Sequence, residues 1–293
     1  MRKESFEAAQ PSIKEYFSQI NEKAFTTHDL SIIFENKRFD WKIATYRNSK
    51  HFIKFLADNN ILNSTKLKHQ VSGSIKTILS KQNGNFYDIA LTIKKDGYLS
   101  NYTAMAIHEL TLQIPKSIYI SFLKSDDRVT QKTIVKLSQD SIDKAFSKKQ
   151  RQTSEIYKSE KENYRIYLIQ KNFTLDNVGV ITKNGLRYTD LERTLLDIAI
   201  RPAYSGGVFE VLDAFSAAKK KVDLVKLERY LNTLDYTYPY HQLIGFYLNK
   251  ANYNQEELRI FQNKITNYNF YLTYNISNKE FDQDWKIFYP KGF

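Results

Sequence analysis

The sequence predicts an α+β fold divided into two domains, and three observations lead there. At 293 residues the chain is longer than a single small domain usually runs. Apolar residues recur at helical spacing near both ends, whereas runs rich in β-branched and aromatic residues gather in the middle. Charge is polarised: the net of +12 divides into −2 over residues 1–36, +8 over 37–81 and +6 over 82–293. With 42% hydrophobic and 26% charged residues, the composition suits packed cores and not disorder.

The same composition removes several classes of function. Without cysteine there is no disulfide, thiolate metal site or thiol nucleophile, which suits a reducing cytoplasm. No run of about 20 apolar residues occurs, and the opening stretch MRKESFEAAQPSIKEYF lacks the apolar core of a signal peptide. The expectation is a cytoplasmic protein that does not enter a membrane. Its excess of Lys and Arg favours a phosphate-bearing partner.

From Pro11 to Ala24, the apolar residues Ile13, Tyr16, Phe17, Ile20 and Ala24 predict a first amphipathic helix, with Pro11 near its first turn. Thr26 or Thr27 caps a second short helix that turns Leu30, Ile33 and Phe34 inward and ends near Asn36. A third helix runs from Ser49, as N-cap, to about Asn59, with Phe52, Ile53, Phe55 and Leu56 on one side and Lys50, His51 and Lys54 on the other. The alternation around Leu67 and Val71, the turn Ser72-Gly73-Ser74, and Ile75, Ile78 and Leu79 then predict a β-hairpin bearing Lys66, Lys68, His69 and Lys76.

Three helices followed by a basic hairpin is the order of a winged helix-turn-helix, so residues 1–84 are expected to bind DNA. In that arrangement the third helix enters the major groove N-terminal end first, and the hairpin follows the backbone. The candidate DNA contacts are Thr27, Arg47, Asn48, Ser49, Lys50, Lys54, Lys66 and Lys68. Arg47 can pair bidentately with guanine and Asn48 with adenine, whereas Lys54 and the hairpin lysines suit phosphates.

The polar stretch Lys81-Gln82-Asn83-Gly84-Asn85 marks the domain boundary, and 85–293 forms a larger α+β domain with a small sheet and a C-terminal helical region. Asp88 to Ile93 reads as a short helix, and Ser100 and Thr103 open another that covers Ala104 to Leu110. Strands are expected over 117–123, 133–137, 164–169 and 178–182. The charged run from Lys148 to Glu162 reads as a solvated helix end or loop. Thr189 with Glu192 forms a capping box for a helix that stops at Arg201-Pro202. Further helices follow Gly206-Gly207, begin on Asp223, and start near Tyr240. The tail over 266–293 holds nine aromatic residues and reads as a terminal strand or docked extension.

Catalysis lacks its residues. Asp88 followed by Thr92-Ile93-Lys94 has threonine where the second carboxylate of a nuclease metal site belongs. There is no Gly-rich phosphate loop, no G-x-S-x-G elbow and no H-E-x-x-H. The chain reads as a non-enzymatic protein without metal or cofactor, the alternative being a DNA-binding regulator or nuclease-like defence protein.

Three blocks carry a family resemblance. Tyr98-Leu99-Ser100-Asn101-Tyr102-Thr103-Ala104-Met105-Ala106-Ile107-His108-Glu109-Leu110 resembles the Y-L-S-x-x-S/T-A-L-x-x-H-G-L block of the AbiEi family, the antitoxins of type IV toxin–antitoxin and abortive-infection operons. Leu191 to Asp197 with Arg201 to Gly207 resembles that family's E-R-T-L-I-D and R-P-E-Y-A-G-G segments, and Trp285 to Pro290 its K-W-R-x-x-V-P ending. Glu109 stands where that family usually has glycine. The resemblance implies an N-terminal winged helix that binds operator DNA to repress its own operon, and a C-terminal domain that counters an AbiEii-like nucleotidyltransferase toxin. Ser100, His108, Arg193, Asp197, Gly206 and Gly207 are the motif residues of that domain. Read as residues alone, Arg193 and Asp197 are four apart on one helix face and can pair, and Gly206-Gly207 permits a tight turn. His108, on an otherwise apolar helix and with no acid partner apparent, reads as a hydrogen-bonded buried histidine.

Overall fold

The computed structural model describes residues 5–123, 137–159, 161–171 and 177–293. Helix α1 (Phe6–Gln19) starts before the expected Pro11, because Ser5 caps it and Phe6 and Ala9 extend the buried stripe through Ile13 and Phe17. Pro11 therefore lies inside the helix. A short strand, β1 (Ala24–Thr26), leads directly into α2 (Thr27–Lys37), whose N-cap is Thr26 in a capping box with Asp29. Helix α3 (Ser49–Asp58) is capped by Asn48 and not by Ser49: Asn48 Oδ1 accepts from the His51 amide at 3.1 Å, and His51 Nδ1 accepts from the Asn48 amide at 3.4 Å. Strands β2 (Asn63–His69) and β3 (Ile75–Ser80) form the hairpin, and α4 (Phe86–Ile93) follows.

The chain continues through β4 (Tyr98–Leu99), α5 (Asn101–Ile107), β5 (Ser117–Leu123), α6 (Gln139–Phe146), β6 (Ile156–Ser159), β7 (Arg165–Lys171), β8 (Val180–Lys183) and β9 (Leu186–Thr189). Helices α7 (Leu191–Ile200), α8 (Val208–Ala218), α9 (Leu224–Leu234), α10 (Tyr240–Lys250) and α11 (Gln255–Gln262) precede three short strands, β10 (Phe270–Tyr271), β11 (Lys279–Asp282) and β12 (Ile287–Pro290). Apart from Leu137, the strand expected over 133–137 lies outside the described residues. No helix among the described residues is long and apolar enough to cross a membrane.

Two compact units result. One comprises residues up to Gly97 with 154–167 and 183–186; the other comprises Tyr98–Thr153, Leu168–Thr182 and Arg187–Phe293. The first unit ends at Gly97 and not near residue 85, because α4 packs on β1 and β3. It also takes in part of the charged run expected as a helix end or loop, since β6 within that run pairs antiparallel with β2 through Leu67–Ser159, Lys68–Lys158 and His69–Tyr157.

In the first unit the strands lie in the order β1-β3-β2-β6-β7, antiparallel throughout. The hairpin expected as a wing is thus two strands of a larger sheet. Helices α1, α2 and α3 close over an aromatic core in which Phe6 lies 5.3 Å from Phe55 and Phe34 lies 5.2 Å from Phe52. Burying Phe52, Phe55 and Leu56 stabilises the seat of α3 by about 1.5–3 kcal/mol each.

In the second unit β4 pairs antiparallel with β5 and parallel with β9. Helix α7 is buried over most of its length. Its N-cap is Asp190 and not Thr189, with the Asp190 carboxylate accepting from the Arg193 amide at 2.9 Å. Glu192 closes no capping box and instead accepts from the Asp223 amide at 3.0 Å. The aromatic tail docks as the sheet β10-β12-β11, and Trp285 seats its ring on Gly245 of α10, where a Cβ would come within 1.9 Å of the indole.

Candidate nucleic-acid interface

Helix α3 buries Phe52, Phe55 and Leu56 and exposes Lys50, His51 and Lys54. Beside its exposed face lies a groove of about 680 Å3, lined by Thr27, His28 and Ser31 of α2, by Ser49, Lys50, Ile53, Lys54 and Ala57 of α3, and by Ser64, Thr77 and Leu79 of the hairpin. The α2 N-terminus contributes the positive end of its dipole here, with Thr27 the first residue of that helix. Lys50 and Lys54 make no ion pair among the described residues, so both ammonium groups face solvent at the groove.

Four of the predicted DNA contacts, Thr27, Ser49, Lys50 and Lys54, therefore come together. Lys66 and Lys68 lie on the exposed side of β2 and line an adjoining cavity of about 490 Å3 with Ser64, Thr65, Ile75 and Lys161. Arg47 and Asn48 do not line the groove. The Arg47 guanidinium stacks 5.4 Å from the ring centres of both Phe6 and Tyr46, and Asn48 serves as the α3 cap. Arg38, not singled out by sequence, fixes the loop that presents α3: its Nη2 donates to the Thr45 and Arg47 carbonyls at 3.3 Å, while Nη1 meets Glu35. His28, Ser31, Ser64 and Thr77 were also missed. The capping box at Thr26 and Asp29 was the available signal for His28 and Ser31, since it fixes which turn of α2 is exposed.

The motif residues of the second unit are engaged with one another. Ser100 is wholly buried, and its hydroxyl lies 2.8 Å from that of Ser121 on β5 instead of capping α5. Thr103 Oγ1 accepts from the Tyr119 amide at 2.8 Å. His108 places Nε2 2.7 Å from the Thr189 carbonyl. Glu109 follows with φ +58°. Its amide bonds to the Ala106 carbonyl and that of Leu110 to the Met105 carbonyl, the two bonds of a Schellman cap, with Leu110 and Met105 both buried.

Arg193 Nε lies 3.2 Å and Lys171 Nζ 3.0 Å from the same oxygen of Asp197, with all three side chains buried. Arg193 also donates to the Val178 carbonyl at 2.6 Å and to the Tyr98 hydroxyl at 3.4 Å. Burial alone would raise the Asp197 carboxyl, but the Arg193 and Lys171 cations hold it below its ordinary value. Burial pushes the Lys171 ammonium down to about 8, against the pull of Asp197. Gly206 and Gly207 have φ of +80° and +97°, and Gly207 caps α8. One turn into α8, Glu210 accepts from Tyr102 at 3.1 Å and from Thr111 at 2.6 Å, which ties the first motif block to the helix that follows the second. Among the described residues no three His, Asp or Glu side chains converge as metal ligands.

No protein-family model matches the chain, and no curated protein matches it. Among solved structures it is similar to the RV2827C protein from Mycobacterium tuberculosis, with a TM-score of 0.59 over 96% of this chain and 91% of that one. At 11% sequence identity this is a likeness of fold.

Proposed function

We propose that this protein binds operator DNA through its first unit, as the autorepressor and antitoxin of a type IV, AbiE-like operon. The observation that carries DNA binding is the groove where the α2 N-terminus, Lys50 and Lys54 of α3, and Ser64 and Thr77 of the hairpin meet. The order α1-β1-α2-α3-β2-β3 supports reading this unit as a winged helix, with α3 as the helix that enters the major groove. The antitoxin role rests on the resemblance at 98–110, 191–207 and 285–290. It assigns to the second unit the task of countering a nucleotidyltransferase toxin.

The test is binding of the full chain to the duplex upstream of its own gene at fixed salt. K50A/K54A is expected to weaken binding at least tenfold, and wild-type affinity in that variant would refute the groove. Co-expression with a nucleotidyltransferase encoded next to it tests the second role. Rescue of growth by K50A/K54A as well as by the wild type is expected, since the two tasks use different units. Failure of the wild type to rescue would leave a DNA-binding regulator without antitoxin activity.

A further inference from the structure

The sheet face beyond the groove carries a row of cations drawn from two distant parts of the chain. Register places Lys68 of β2 opposite Lys158 of β6, and Lys158 opposite Arg165 of β7. Residues directly opposite in antiparallel strands share a face, so these three side chains stand side by side. Neighbouring strands are about 4.8 Å apart, well inside the ~8 Å screening length of physiological salt, so the cations repel one another unless a counter-charge lies over them. All three are exposed, and none has an ion pair among the described residues.

Residues 154–167 hold three acids and three bases, and the two described acids engage the opposite face of the sheet. Glu162 hydrogen-bonds Ser159 and Thr65, whose side chains lie on the opposite, buried face with Leu67, Tyr157 and Ile166. Glu155 lies 3.5 Å from His69, also on that face, while Glu160 is outside the described residues. Lys66 is two residues from Lys68 on the same strand, and Lys161 lines the same cavity as both. Ser64 lines this cavity and the α3 groove alike, so the surface runs from Lys50 and Lys54 to Lys68, beside which Lys158 and Arg165 stand in register.

We propose that Lys68, Lys158, Lys161 and Arg165 form a second phosphate-binding platform, which grips the backbone of duplex DNA flanking the segment read by α3. Lys and Arg on a solvent-facing sheet carry no hydrogen-bond pattern for bases, so the platform adds affinity without sequence preference. It rests on the DNA-binding reading above and extends it to strands 90 residues further along the chain.

Titrating full-length protein with operator duplex and with a shuffled duplex of equal length, over a range of salt concentrations, tests this. Each phosphate contact contributes about 0.9 to the slope of log K against log salt. K158Q/R165Q is expected to lower that slope by about 1.5–2 and to weaken both duplexes by the same factor, roughly tenfold near 150 mM salt. Its melting temperature without DNA should equal or exceed the wild type, because two repelling charges are gone. An unchanged slope in K158Q/R165Q, with K50A/K54A still impaired, overturns the platform alone. A wild-type protein that binds neither duplex overturns the underlying DNA-binding reading together with it.

Discussion

Among the described residues Asp197 is the anion that two buried cations share, so its loss and theirs are not equivalent. Removing one partner of a buried ion group leaves the rest uncompensated and costs about 3–5 kcal/mol. D197A strands both Arg193 and Lys171 and is expected to reach that range in urea denaturation. K171M leaves the Arg193–Asp197 pair intact and removes an ammonium whose burial is unfavourable, so its cost should be clearly smaller; equal losses would show that the three groups do not act as described. Acid gives an independent check. A carboxyl whose folded pKa lies below its unfolded value contributes stability above the unfolded value, near 3.8, and loses it as pH falls through the folded one. Wild-type stability should therefore drop between about pH 5 and the acid limit by more than that of D197N. The spacing of Arg193 and Asp197 was legible in the sequence as an i, i+4 pair. Lys171 was not, because it arrives from a strand 26 positions away.

Helix ends decide the next scale. Glu109 holds a left-handed conformation at the end of α5, where the resembled block has glycine, and a Schellman cap explains why glycine suits that position. A non-glycine residue there costs about 1–2 kcal/mol, partly offset by the entropy glycine loses on folding. E109G is expected to raise stability by up to about 1 kcal/mol, and a loss on thermal melting would contradict the cap. At α3, N48A removes the capping oxygen and should cost about 1 kcal/mol, whereas N48D keeps an acceptor at the N-terminus and should fold as well as the wild type. If N48D binds DNA with wild-type affinity, Asn48 is a cap alone; weakened binding at unchanged stability would add a base contact. Helices with a sustained apolar stripe, α3, α8, α9 and α10, were readable because about three turns repeat the pattern. Caps shifted by one residue, as at Asn48 and Asp190, since adjacent polar residues compete for the same amides. Strands β1, β6 and β9, of three or four residues, hold too short a run for a period to register, and their partners lie elsewhere in the chain.

At the scale of the whole molecule, the first unit is not a contiguous segment. Its net charge of +7 comes from 20 basic and 13 acidic residues, and those of β6 and β7 reach it from beyond residue 150. A sequence split at a polar loop sees the +8 patch over 37–81 but not the strands that complete its sheet, because β-pairing over such separations leaves no local signature. The consequence is specific. A fragment of residues 1–84 would lack α4 and β6, leaving the β2 edge with unpaired amides and carbonyls and uncovering the face of Leu67 and Ile78. Open edges beside apolar side chains recruit further strands. Such a fragment is expected to melt well below the intact chain and to self-associate more strongly at equal concentration in sedimentation velocity. A monomeric 1–84 that unfolds cooperatively at the full-length melting temperature would show that the hairpin stands by itself. Affinity measured with that fragment should also fall short of the full chain on any duplex, since it carries Lys50, Lys54, Lys66 and Lys68 but neither Lys158 nor Arg165.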